Sequence, residues 1–245
     1  MLSFLGFWAS LAGLLVSWEL VLYSPARVFY WFGLCLVCSS FLVFLLTKND
    51  PGWKKGLIDR LSFVLFCVGA FWWFLWLDLN VIKYIIPFVI WGSIVYFARD
   101  SRNMGIISKN EKLAIFFGGV FFWSAISFGL STVLGWKLWQ VLLIFLVSFA
   151  VLCWPAMRSV SENSLKKIKA YLLLILLAVE MFAVIAWLPF TEATLALILT
   201  IFVLFIYDLE KYYLNPELIN RRIITRKIVI YLLFFCLALI STPWN

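Results

Sequence analysis

Histidine is absent from this 245-residue sequence. That removes the commonest general base at neutral pH and the commonest metal ligand. Catalytic triads built on histidine, and zinc or haem sites liganded by it, are excluded. Charge is also scarce, at 13% of residues against about a quarter in a soluble domain. The five cysteines, Cys35, Cys38, Cys67, Cys153 and Cys236, all lie inside apolar runs, as small buried thiols do and a secreted disulfide framework does not. No phosphate-binding glycine loop, zinc-ligand spacing or nucleophile elbow occurs. We therefore expect no cofactor, no metal and no assignable catalytic residue.

What fills the sequence instead is apolar. Hydrophobic residues make up 65% of it and mean hydropathy is +1.05. A soluble core of this size could not bury so much apolar surface, so lipid must cover much of it. Runs of about 20 residues, the length a bilayer crossing needs, recur throughout. They fall near 2–23, 27–47, 60–77, 80–98, 113–133, 136–154, 170–188, 192–210 and 227–243. The fold expected is all-α: a polytopic transmembrane bundle of about nine spans, counted as one domain over residues 1–245. Tight turns at Ser24-Pro25-Ala26, Leu79, Leu134-Gly135 and Pro189-Phe190-Thr191 alternate with longer charged connections. That alternation gives four hairpins and a closing helix.

Of the 20 lysines and arginines, only Arg27, Lys83 and Lys137 lie near a tight turn. The remainder crowd the long connections. The positive-inside bias puts those connections in the cytoplasm of a multi-pass protein of the cell membrane, with the amino terminus inside and the carboxyl terminus outside. The first segment lacks the basic leader of a cleavable signal and reads as a true span. The net charge of +8 then belongs with lipid headgroups, not nucleic acid. The partners expected are the lipid bilayer and, beyond it, membrane proteins. The charged connections also hold helix-start signals: Ser108 with Glu111 as a capping box, Asn215-Pro216-Glu217, and Asp50-Pro51.

Several features are explained by packing. Gly6 with Ser10, and Ala9 with Gly13 and Ser17, form ridges without bulk in the first span. Ala125 and Gly129, beside Gly118 and Gly119, repeat the pattern in the fifth. Both spans should be central. Trp18, Trp53, Trp76, Trp136, Trp154, Trp187 and Trp244 fall at span boundaries, as an aromatic belt would. Phe71-Trp72-Trp73-Phe74-Leu75-Trp76 fills half a span and reads as a packed face. Cys35 and Cys38 have redox-pair spacing, but no base stands near to stabilise a thiolate.

Glu180 is the candidate intramembrane polar site. It lies about ten residues into its span, and an acid near the bilayer centre costs roughly 2.5–3.5 kcal/mol on insertion scales. Ala183 and Trp187 share its helical face, which is expected to point into the bundle. There it would couple a proton or cation, anchor a substrate, or bond to Ser124, Ser127 or Thr200. Glu19 with Arg27, and Asp78 with Lys83, are candidate pairs across the outer turns, where Lys137 and Glu192 also sit. Asp208 and Glu210, two apart beside Lys211, could help to hold a cation.

A nine-span layout with an inside amino terminus resembles that of the UbiA-type prenyltransferases. That resemblance implies two aspartate-rich cytoplasmic motifs that bind magnesium diphosphate. This chain offers Asp50 and Asp59 in the first such connection and Glu162 in the other, too sparse for the tight cluster magnesium requires. The resemblance rests on span count and orientation and transfers no site. Three function classes follow: a non-catalytic membrane component (scaffold, assembly factor or complex subunit), a small transporter or channel using Glu180, and a lipid-acting membrane enzyme.

Overall fold

A computed structural model describes residues 2–46, 57–76, 82–104, 109–158, 160, 164–218 and 221–240. Among these the protein is all α. The helices are α1 (Leu2–Tyr23), α2 (Val28–Leu46), α3 (Leu57–Phe74), α4 (Ile82–Met104), α5 (Lys109–Thr132), α6 (Leu138–Arg158), α7 (Ser164–Ile185), α8 (Glu192–Leu214) and α9 (Arg221–Ile240). Eight are long and apolar enough to cross a membrane, and the chain is a multi-pass helical membrane protein. The exception is α4, whose described apolar stretch is Ile85–Tyr96.

The helices outrun the apolar segments at their charged ends. α4 continues to Met104, α5 starts at Lys109, α6 reaches Arg158, α7 starts at Ser164, and α9 starts at Arg221. Hydropathy marks where lipid stops, but lysine, arginine and glutamate are good helix formers and carry the helix onward. α6 therefore runs through Pro155, which joins Pro87 of α4 as a proline inside a helix. α5 does start one residue after Ser108, although that residue, Asp50 and Pro51 lie outside the described residues. The signal at Asn215 works differently than expected. Asn215 caps the end of α8, its backbone N–H donating to Lys211 O, and Pro216 opens a 3-10 turn (Pro216–Leu218).

The chain divides into two compact units, Met1–Gly119 and Val120–Asn245. In the first, α1 packs on α2, α3 and α4. Phe7, Leu11, Leu14, Trp18 and Val21 form its buried stripe at helical spacing. Its small residues admit α2 closely: a Cβ on Gly13 would meet Cys38 Sγ at 2.5 Å, and one on Gly6 would meet the Phe41 ring at 3.3 Å. Ser10 and Ser17 are buried and return their hydroxyls to Gly6 O and Leu14 O. Ala9 is exposed, so the second ridge runs without it. Gly118 of α5 approaches Phe66 of α3, where a Cβ would meet the ring at 2.6 Å. Trp91 of α4 donates to Leu11 O at 2.7 Å. Trp18, expected at the interface, is fully buried and meets Phe74 edge-on.

In the second unit α6, α7, α8 and α9 pack in order. Its centre is a run of stacked rings. Phe128 lies 4.4 Å from Phe182 at 6°, and Phe145 lies 4.7 Å from Phe182 at 18°. The turn after α5 is set by Gly135, whose φ of +64° suits a residue without a Cβ. It is closed by Trp136 N–H donating to Leu130 O at 3.2 Å. α6 then begins with a half capping box, in which Lys137 N–H donates to Gln140 Oε1 at 3.1 Å. α9 is the least enclosed span, with 6% of its window buried, against 56% for α5.

Candidate functional site

Glu180 sits on the outward side of α7, which corrects the expectation that its face points into the bundle. Leu173, Leu176, Glu180, Val184 and Trp187 are exposed, at spacings of three and four that trace one stripe. The buried stripe of the same helix is Ala170, Leu174, Ala178, Phe182 and Ile185. Bulk decided the matter: Phe182 fills the slot between the Phe128 and Phe145 rings, and that fixes the rotation of α7. Ala183 is half-buried and Trp187 is 81% exposed. None of the partners considered for Glu180 bonds to it, and the buried Ser127 hydroxyl has no hydrogen-bond partner at all. Ser124 donates to Val120 O and Thr200 to Ala196 O. The Glu180 carboxylate makes no hydrogen bond or ion pair among the described residues. It lies 11 residues beyond Lys169 and five before Ile185, about 16 Å and 8 Å along the axis.

A second polar constellation joins α8 to α9. Lys227 Nζ reaches Asp208 Oδ2 at 2.6 Å, and the Tyr231 hydroxyl donates to the same oxygen. The ammonium also stands 5.6 Å from the centroid of the Tyr212 ring, within cation–π reach. Spacing explains the set. Lys227 and Tyr231 are four apart on α9, as Asp208 and Tyr212 are on α8, so each pair shares a face. Glu210 does not join Asp208. Residues two apart on a helix point to opposite sides, and Glu210 is buried with no hydrogen bond to either carboxylate oxygen. The i, i+2 rule, applied to the sequence, would have separated these two acids. Nothing in the sequence assigned Lys227 and Tyr231 to Asp208.

The other acids are spread out. Asp59 of α3 pairs with Lys112 of α5 at 2.7 Å in the first unit. Glu192 accepts from Thr132 Oγ1 at 2.7 Å. Glu19 and Arg27 form no ion pair; Glu19 is half-buried and Arg27 exposed. Asp78 and Glu162 lie outside the described residues, and so does the Lys83 side chain. No group of three cysteines or acids suited to a metal ion occurs among the described residues. Cys35 and Cys38 are free and turn to different neighbours, Cys35 to Cys67 O at 3.8 Å and Cys38 to Gly13. The run from Phe71 is packed: Phe71 and Phe74 are fully buried, and Phe32 lies against Phe71 and Trp72.

No protein-family model, curated protein or solved structure matches this chain.

Proposed function

We propose that the chain is a non-catalytic component of the cell membrane, a scaffold, assembly factor or complex subunit. In this reading it docks onto a second membrane protein through the outward stripe of α7 centred on Glu180. One observation carries it. A carboxylate is exposed about 8 Å inside the end of an apolar helix, with no partner of its own. Acids at membrane depth rarely face lipid and are normally paired or bonded. The complement is a transmembrane helix that presents a base or a hydrogen-bond donor at the same level. The cytoplasm lies on the side of the lysine- and arginine-bearing connections, with the amino terminus there and the carboxyl terminus opposite. Transport through Glu180 would place that residue against an interior path, whereas it is exposed. An enzymatic role for the charged-end acids would need them uncommitted, whereas Asp59 and Asp208 each hold a lysine.

The test is a photoreactive amino acid at Val184, one turn from Glu180 and 61% exposed. Irradiation in native membranes is expected to join the chain to one defined membrane protein, and Glu180→Lys is expected to remove the adduct. The same probe at exposed Leu143 on α6 should give mostly lipid. Lipid adducts alone at Val184 would end this reading.

A further inference from the structure

Glu210 supplies none of the polar contacts that hold α8. It lies on the inward stripe of that helix with Leu199, Val203, Ile206 and Leu214, all buried. It is 5% exposed, and neither carboxyl oxygen has a hydrogen-bond partner. Two bonds tie the charged end of α8 to that of α6. The Tyr207 hydroxyl donates to Ala156 O at 3.5 Å, and Asn215 Nδ2 donates to Val160 O at 3.0 Å. The ties advance in the same order along both helices, so α6 and α8 run parallel. Glu210 stands between them in sequence, level with the last turn of α6. That turn ends in carbonyls and is the negative pole of its helix. The ionisable groups at this level are Cys153 and Arg158 on α6, Lys167 and Tyr171 on α7, and Tyr207 and Lys211 on α8. None of them bonds Glu210. α9 meets the other side of α8, where Asp208 engages Lys227. A carboxylate ion buried with no cation or donor, at the level of a negative helix end, is the form that this place opposes most. A neutral carboxylic acid fits it far better.

We propose that Glu210 is a proton-binding site that governs how the end of α8 seats on α6. With the proton bound, α8 lies against α6 and both ties hold. When the proton leaves to water at the charged end of the bundle, the carboxylate must gain water, and the two helix ends part. The site is separate from the α7 stripe and stands or falls without it.

The full chain in lipid vesicles is taken from mildly acid to mildly alkaline buffer and followed in two ways. Infrared difference spectra read the C=O stretch of protonated carboxyl groups. One such band is expected to fade as pH rises, to survive in Glu180→Gln, and to be missing from Glu210→Gln. Hydrogen exchange, corrected for the intrinsic effect of pH on amides, reads the seating. The last turns of α6 and α8 should open more often as pH rises, by up to about tenfold per pH unit, the limit for one proton taken up on closing. The middles of the same helices, around Phe145 and Leu199, should not respond. Glu210→Gln, neutral at every pH, should keep the slow exchange throughout. The proposal is overturned if Glu210→Gln loses no band, if exchange at those turns does not depend on pH, or if Glu210→Gln responds to pH as the parent chain does. A Glu210→Gln chain that fails to fold would overturn it too, because its amide reproduces the shape and neutrality of the acid. The exchange measurement on the unmodified chain needs no variant.

Discussion

Replacing Glu180 by Leu separates three quantities that a buried structural acid would tie together. The first is insertion. An acid at a helix centre costs about 2.5–3.5 kcal/mol and a leucine gains about 0.3–0.6 kcal/mol. Glu180 is off-centre, five residues from the end of α7, so the expected gain is reduced to about 2 kcal/mol. The second is folding of the isolated chain. The side chain is exposed and unpartnered, so it meets the same lipid before and after helices assemble. Unfolding in mixed micelles should therefore shift by less than about 0.5 kcal/mol, as for a surface substitution. The third is assembly. Removing the carboxylate leaves the partner's base or donor unpaired. That costs about 3–5 kcal/mol for a buried charge and about 1–2 kcal/mol for a neutral hydrogen bond in a membrane. Retention of the partner should then fall at least about fivefold. A glycosylation-reporter insertion assay, a detergent unfolding titration and quantitative co-purification read the three in turn. A loss of more than about 1 kcal/mol in the isolated chain would mean that Glu180 supports its own fold. The argument for a partner would then be refuted.

Other consequences follow from the packing. Phe182→Ala breaks two stacked ring pairs at 4.4 and 4.7 Å and should destabilise the second unit by about 2–4 kcal/mol in an unfolding titration. Val147→Ala, on an exposed face, should cost almost nothing. Lys227→Met should cost more than Asp208→Asn, about 2 against about 1 kcal/mol. It strands an Asp208 side chain that is 11% exposed, whereas Lys227 at 35% can extend its amine towards water. Equal losses would show that the pair is solvated on both sides. Gly135→Ala should cost about 1 kcal/mol through its positive φ. In folded protein a water-soluble maleimide, which reacts with the thiolate, should leave Cys35, Cys67 and Cys153 untouched until unfolding, and should spare Cys236 too because that thiol faces lipid inside α9. Early labelling of those three would contradict the packing of α2, α3 and α6.

Much of the fold was legible because lipid imposes a coarse rule. A run of about 20 apolar residues must be a helix, since backbone groups find no other partners in a bilayer. The small residues of α1 were legible for a related reason: only a helix face without bulk admits a neighbour as close as Cys38 and Phe41 come. The ends of the helices were less legible. Solvation is what the apolar pattern records, and α6, α7 and α9 stay helical past the point where it changes.

The sequence by itself determined that the chain is helical, that it crosses a membrane repeatedly, and that its bases collect at alternate connections. The tertiary structure alone decided which side of each helix is covered. In water a helix declares its inner face by being polar on the other. In α7, Leu173 and Leu174 are equally greasy, yet one is 48% exposed and the other fully buried. Transfer free energy does not separate them when lipid and core are both apolar, so shape does. The seating of Phe182 between two rings turns Glu180 outward, and the pairing of α8 with α9 brings Lys227 and Tyr231 to Asp208. Both depend on side chains distant in sequence fitting one another, a relation no local pattern of residues encodes.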